Sequence, residues 1–310
     1  MLSESFLKSL SGLRLWSHKR RPGTYTGERR STRKGRSVEF ADYRNYTPGD
    51  DPRRVDWNVY ARLEKPYIKL YEDEEDLTVH VLLDASASMR WNPDDDVDDD
   101  LPMAREHVPG AKWQRAAELA LALGHIVLSS GDRLVVETSS RAHFGPKRGD
   151  AATSQLITFL EAQQSRLSFA TPDSTVHRAH LNTWLRNYAL STRSGMCIVI
   201  SDFMDEDGYA EGLGMIGAKL DLNVLHTLSE EELDPQFAGD LRLVDVENNN
   251  KQDVSLDEAS FRRYRQRLDA FTSDLEATTR KRGGRSLLIN TSQTIEQLVL
   301  KDLRSAGWLL

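Results

Sequence analysis

The sequence is poor in several things that would fix a function class early. It has one cysteine, Cys197, among 310 residues. A disulfide framework is therefore excluded, and a lone cysteine inside the apolar run Met196–Ile200 reads as a small buried residue. The longest apolar stretch, Leu119–Leu128, is interrupted by Gly124 and His125 and is too short to span a bilayer. No secretory signal stands at the N-terminus, so the default location is cytoplasmic. There is no P-loop, no H-E-x-x-H and no G-x-S-x-G. Length suits either one large α/β domain with an appendage or two domains.

Charge is present but uneven. The net charge is −7, yet residues 19–36 hold eight Lys or Arg against the single acid Glu28. Residues 72–76 are all acidic, and Asp94–Asp96 and Asp98–Asp100 form two further acidic runs. An acidic chain without an aromatic stacking motif beside its basic arm is not read as binding nucleic acid. The arm is read as pairing with acidic segments or as solvated. Residues 2–16 place Leu2, Phe6, Leu7, Leu10, Leu13 and Leu15 at near-helical spacing. They predict an amphipathic helix that docks on its own protein; peripheral membrane contact is the weaker alternative.

The most informative stretch is Thr78–Met89. Val79, Val81, Leu82 and Leu83 form a short, β-branched apolar run that ends at Asp84, with Ser86 and Ser88 following at a spacing of two. This is a buried strand with a polar loop at its carboxyl end, where open α/β sheets bind ligands. One carboxylate and two hydroxyls are hard oxygen donors of the type Mg²⁺, Mn²⁺ or Ca²⁺ prefers. A second apolar strand, Met196–Ile200, ends in Ser201-Asp202. Strands are further predicted at 133–138, 143–145, 222–228, 241–246 and 286–289. Helices are predicted at 112–130, 151–163, about 175–187, 256–282 and 294–305. Alternating strands and helices specify a mostly parallel sheet.

Asp84-Ala85-Ser86-Ala87-Ser88 resembles the D-x-S-x-S loop of the metal-ion-dependent adhesion site in von Willebrand factor A domains. That resemblance implies a second loop that supplies a threonine before a helix, which places Thr175 there, with Thr171 as the alternative; the glycines usual before that threonine are missing. It also implies a third-loop carboxylate, at Asp202. Upstream, Gly35–Phe40, Tyr43–Tyr46, Pro48–Asp51, Arg53, Asp56-Trp57 and Tyr60–Arg62 resemble the signature of a bacterial family, domain of unknown function family fifty-eight. Its members carry a von Willebrand A-like fold and are thought to work with a MoxR-type AAA+ ATPase. Within the signature, Asp50, Asp51, Arg53, Arg54 and Asp56 are read as a charge cluster anchored on the core by Trp57.

The expected architecture is α/β: a von Willebrand factor A-like, Rossmann-like, mostly parallel sheet flanked by helices in residues 76–310. An acidic insertion interrupts it at 91–110. Residues 1–75 form an N-terminal helix and a small strand-rich extension. The expected function is a non-enzymatic, metal-dependent interaction module. Asp84, Ser86, Ser88, Thr175 and Asp202 would hold Mg²⁺ (or Mn²⁺ or Ca²⁺), and an acidic residue of a MoxR-type AAA+ ATPase or of a client would complete the coordination. A metal-free scaffold and a metal-dependent hydrolase are the alternatives. Two patterns are set aside. Gly212–Gly217 matches G-x-G-x-x-G, but acids precede it and Leu213, Ile216 and Leu220 read as one helix face. His177 and His180 lack further ligands for zinc.

Overall fold

The computed structural model describes residues 2–17, 23–24, 39–73, 77–90, 111–168, 180–235, 239–244 and 251–310. In chain order the elements are α1 (Glu4–Leu10), β1 (Gly23–Thr24), β2 (Glu39–Asn45), a 3₁₀ turn (Pro52–Arg54), α2 (Trp57–Leu63) and β3 (Tyr67–Asp73). Then come β4 (Thr78–Leu83), α3 (Ala87–Arg90), α4 (Ala111–Ser129), β5 (Arg133–Thr138), β6 (His143–Lys147), α5 (Ala152–Ser168), α6 (Leu181–Ser191) and β7 (Met196–Ser201). The chain closes with α7 (Ala210–Lys219), β8 (Asp221–Leu228), α8 (Glu230–Leu233), β9 (Gly239–Val244), β10 (Lys251–Leu256), α9 (Glu258–Lys281), β11 (Arg285–Asn290) and α10 (Ile295–Gln297), which runs into a π-type turn, Leu298–Leu303. These elements divide into two compact units, residues 1–19 with 77–310, and residues 20–76.

The large unit is an α/β domain on a six-stranded sheet of order β11-β8-β7-β4-β5-β6. Every neighbouring pair is parallel except β5–β6. The chain starts in the middle at β4, builds outward through β5 and β6, then returns to the other side of β4 and builds outward through β7, β8 and β11. The order reverses between β4 and β7, and that switch point is where open α/β sheets bind ligands.

Because side chains alternate across a strand, each central strand feeds two cores. Val79, Val81 and Leu83 of β4, with Met196, Ile198 and Ile200 of β7, lie in one core with α1, α4 and α5. Leu82, Cys197 and Val199 lie in the other with α6, α7 and α9. The glycines of the G-x-G-x-x-G pattern sit inside α7 and serve packing: a Cβ at Gly212 would lie 2.6 Å from the Leu185 Cβ, and one at Gly217 2.7 Å from the Arg282 Cβ. They let α7 approach α6 and the end of α9 closely.

The N-terminal helix belongs to this large unit and not to the strand-rich extension with which the sequence groups it. Ser3 caps it, accepting from the Phe6 amide at 3.2 Å. Phe6, Leu7, Leu10 and Leu15 are buried in the α4-side core beside Trp308 and Leu309. The following segment pairs with the chain's other end, the Trp16 amide donating to the Trp308 carbonyl at 2.9 Å and the Leu310 amide to the Arg14 carbonyl at 2.9 Å. Burying two complete leucine side chains, Leu10 and Leu15, is worth about 1.5–3 kcal/mol each, which outweighs the sequence proximity to residues 20–76. Among the described residues no helix is long and apolar enough to cross a membrane.

The small unit is an antiparallel sheet, β1-β3-β2, with α2 between β2 and β3. Among its charges, Asp50 accepts from both Nη atoms of Arg44, an arginine outside the expected cluster, at 2.9 Å. That guanidinium, with hydrogen bonds from Thr47, holds the Asp50 carboxyl well below the usual range. Asp51 and Asp56 cap the 3₁₀ turn and α2 through backbone amides. Trp57 is not an anchor: it is 60% exposed. With the Asp56 carboxylate turned inward to cap α2 and to accept from the Tyr43 hydroxyl at 3.0 Å, the first helical residue points outward. β10 also goes beyond the sequence reading, which gives one strand at 241–246 where the structure has the hairpin β9–β10. Lys251–Leu256 carries only two apolar residues, too few for an alternation signal. The basic arm (apart from Gly23–Thr24), the acidic insertion 91–110 and the segment 169–179 lie outside the described residues.

Candidate functional site

The strand register places the two acids together. Leu83 pairs with Ile200, and the Asp84 amide donates to the Ile200 carbonyl at 3.0 Å. Asp84 and Ser201 therefore leave β4 and β7 side by side, with Asp202 one residue further on, at the switch point of the sheet.

Asp84 is buried, and both its oxygens accept hydrogen bonds. Oδ1 accepts from the Ser86 amide at 2.9 Å and the Ser139 hydroxyl at 3.2 Å, and Oδ2 accepts from the Ser201 hydroxyl at 2.6 Å. Ser139 in turn accepts from the Ala85 amide at 2.8 Å, and Ser201 from the Phe203 amide at 2.9 Å. Loops after three adjacent strands, β5, β4 and β7, are thus tied to one carboxylate. Burial first, and then the negative charge of Asp202, push the Asp84 pKa up to about 6 against these hydrogen bonds. Beyond it, the hydroxyls of Ser86 and Ser88 lie half-exposed and 3.1 Å apart.

Asp202 is also buried. Its Oδ1 accepts from the Met204 amide at 3.1 Å and its Oδ2 from the Lys112 ammonium at 2.8 Å. Phe203 takes a left-handed φ of 59°, costly for a bulky residue. The sharp turn keeps Asp202 at the rim while Phe203 drops into the α7-side core. Lys112, in the first turn of α4, reaches Glu232 as well, at 2.5 Å. Burial alone would lower the Lys112 pKa, but the carboxylates of Asp202 and Glu232 outweigh it and hold it raised. His226, beside Ser201 on β8, is buried among Phe203 and Phe271, and neither ring nitrogen makes a hydrogen bond of normal geometry. Burial pushes its pKa down to about 4, so it is neutral.

Of the five residues singled out by sequence, Asp84, Ser86, Ser88 and Asp202 lie at this rim; Thr175, like its alternative Thr171, lies outside the described residues. The hydroxyl pair suits a hexacoordinate ion. Ligands at the 2.0–2.1 Å of Mg²⁺ stand about 3 Å apart along an octahedral edge, close to the Ser86–Ser88 separation. The carboxylates, whose oxygens already accept from the protein, suit orientation or water-mediated contact. Sequence reasoning missed Ser139, Ser201, Lys112 and Glu232. A serine closing the apolar strand Met196–Ser201 was a readable signal. A lysine beginning a helix was not, since such lysines usually face water.

The family model described as "Protein of unknown function DUF58" matches residues 42–274. The chain belongs to the DUF58 family. The match spans both units, from β2 to α9, and includes the rim. Among similar proteins are uncharacterized proteins of Mycobacterium tuberculosis and Mycobacterium bovis. Each is 23% identical over 288 residues, which is 92% of this DUF58 chain and 84% of the relative. Two solved structures are loosely similar. An aerotolerance-related membrane protein from Bacteroides fragilis is 14% identical, covering 74% of this chain and 99% of its own, with a TM-score of 0.36. The conserved hypothetical protein BatB from Bacteroides thetaiotaomicron is 12% identical, covering 74% and 98%, also with a TM-score of 0.36.

Another polar cluster, His180, Asp205 and Asp207, gathers near the start of α6. Asp205 accepts from the Leu181 amide at 2.8 Å and so caps that helix, while the His180 ring lies 3.2 Å from Asp207. Helix capping accounts for the placement of Asp205.

Proposed function

We propose that this DUF58 protein is a non-enzymatic, metal-dependent interaction module of von Willebrand factor A-like type. Its binding surface is the carboxyl-terminal rim of the β4–β7 switch point. Ser86 and Ser88 are the direct ligands for a Mg²⁺-type ion, joined by Thr175. Asp84 and Asp202 orient the loops and supply negative charge. When bound, such an ion offers an open coordination position to a partner's Asp or Glu. The chain's own part is to hold two hydroxyls at the rim: Asp84 fixes the loop through the Ser86 amide, and Ser139 and Ser201 fix Asp84. The observation that carries this reading is the Ser86–Ser88 hydroxyl pair, 3.1 Å apart, beside two buried acids where the strand order reverses.

The partner we favour is a MoxR-type AAA+ ATPase, or a client it remodels, as the family resemblance implies. An ATP-driven partner places the complex in the cytoplasm, where the nucleotide is. The test is co-purification with that ATPase in Mg²⁺ and in chelator. Capture should need the ion and should be lost in Ser86→Ala/Ser88→Ala; capture indifferent to both would reject the reading. A metal-free scaffold is the second reading, and the Lys112–Asp202 ion pair favours it, because it neutralises Asp202 without an added ion.

A further inference from the structure

We infer that Lys112 is the built-in counter-ion of the rim, and that a divalent cation is accepted there only in competition with its ammonium. This rests on the reading that the rim takes such an ion, and it goes further by naming the residue that sets how tightly.

The placement of Lys112 is unfavourable on every count except its partners. The residue is 2% exposed, and lysine is almost never fully buried unless paired. It sits in the first turn of α4, where the helix dipole disfavours a cation. Trp113 and Ala116 beside it are fully buried, so its backbone is fixed. What offsets these costs is a bridge between two carboxylates from separate elements, Asp202 at 2.8 Å and Glu232 at 2.5 Å.

The two carboxylates are not equivalent. Asp202 belongs to the rim loop. Glu232 is immobilised apart from it: its Oε2 accepts from the Ser229 amide at 2.8 Å in a capping box, and its carbonyl accepts from the Tyr264 hydroxyl at 2.6 Å. Its Oε1 remains for the ammonium. Lys112 can therefore release Asp202 and keep Glu232, so that the ammonium stays paired while an arriving cation meets the Asp202 charge. With Lys112 on Asp202, an arriving divalent ion meets a like charge and a carboxylate already neutralised. With Lys112 on Glu232 alone, Asp202 is returned to the rim. Metal affinity is set by the difference between these two arrangements.

The experiment is titration calorimetry with Mn²⁺ and Mg²⁺ on the full chain, wild type against Lys112→Met and Glu232→Gln, with melting curves in chelator and in metal. Lys112→Met should bind Mn²⁺ at least tenfold more tightly than wild type. It should melt lower than wild type in chelator and gain more from added Mn²⁺, since the ion replaces the missing counter-charge. Glu232→Gln, which removes the ammonium's fallback, should bind more weakly than wild type. Binding by Lys112→Met with none by wild type also supports the inference. Equal or weaker binding by Lys112→Met, with wild type binding, overturns the competition and leaves the metal reading standing. Binding by none of the three proteins overturns the metal reading itself, and the inference with it. Should Lys112→Met not fold, Glu232→Gln decides: equal or tighter binding than wild type overturns the competition.

Discussion

The contribution of Asp84 to stability should fall as pH rises through the range in which it ionises. In the folded chain burial and the neighbouring Asp202 raise its pKa from 3.8 to about 6, whereas in the unfolded chain it ionises near 3.9. Between those values the folded chain holds a proton that the unfolded chain has released. Unfolding is then favoured by rising pH, at about 1.4 kcal/mol per pH step at most. The full effect is about 3 kcal/mol, lost between about pH 4 and 6 and level above that. Acids with lowered values, such as Asp50 and Asp257, act in the opposite sense mainly below that window, while the buried His226 acts in the opposite sense within it. The Asp84 contribution is therefore read as the difference between wild type and a variant without the carboxyl. Asp84→Asn removes the titrating group while keeping one oxygen for the Ser86 amide and the Ser139 hydroxyl. Its amide nitrogen would face the Ser201 hydroxyl, and rearranging that contact costs about 1 kcal/mol. The variant should therefore be more stable than wild type by about 1–2 kcal/mol at pH 8 and less stable by about 1 kcal/mol at pH 4. Urea unfolding followed by circular dichroism, in chelator across this range, measures both. Parallel pH profiles for the two proteins, or a variant weaker throughout, would refute the reasoning.

Other consequences concern stability away from the rim. Leu10→Ala should destabilise the protein by about 2–5 kcal/mol, read from denaturant midpoints, because Leu10 is fully buried; an unchanged midpoint would mean α1 is not part of the core. Gly212→Ala should cost about 1–3 kcal/mol through a clash with Leu185, visible as a lower melting temperature, and a neutral result would contradict the close α6–α7 packing. Trp57→Ser should change stability by no more than about 1.5 kcal/mol, since the ring is largely exposed and packs edge-on against Tyr60; a loss of several kcal/mol would restore it as an anchor.

Much of this was legible because the sheet is written in plain apolar runs. Val79–Leu83 and Met196–Ile200 each end in an acid, and two buried parallel strands ending alike suffice to suggest a shared rim. The amphipathic pattern likewise announced α4, α5 and α9. What the sequence did not show depended on long-range placement. Leu10 and Leu15 read as an amphipathic stripe, but only the Trp308–Leu309 end of the chain shows where that stripe docks. Asp51 and Asp56 read as ion-pair partners, and the structure shows that they also cap the 3₁₀ turn and α2 through backbone amides. Trp57 follows from the same cap, which fixes its direction outward. Lys112 lay furthest from view, since its two carboxylate partners lie 90 and 120 residues away.

The most direct test is titration of Mn²⁺ into wild type and into Ser86→Ala/Ser88→Ala, both verified as folded. Saturable binding by wild type, abolished in the double variant, is the predicted result. Binding of equal strength in both proteins, or no binding by wild type and none by Lys112→Met, would contradict a cation held by the Ser86 and Ser88 hydroxyls.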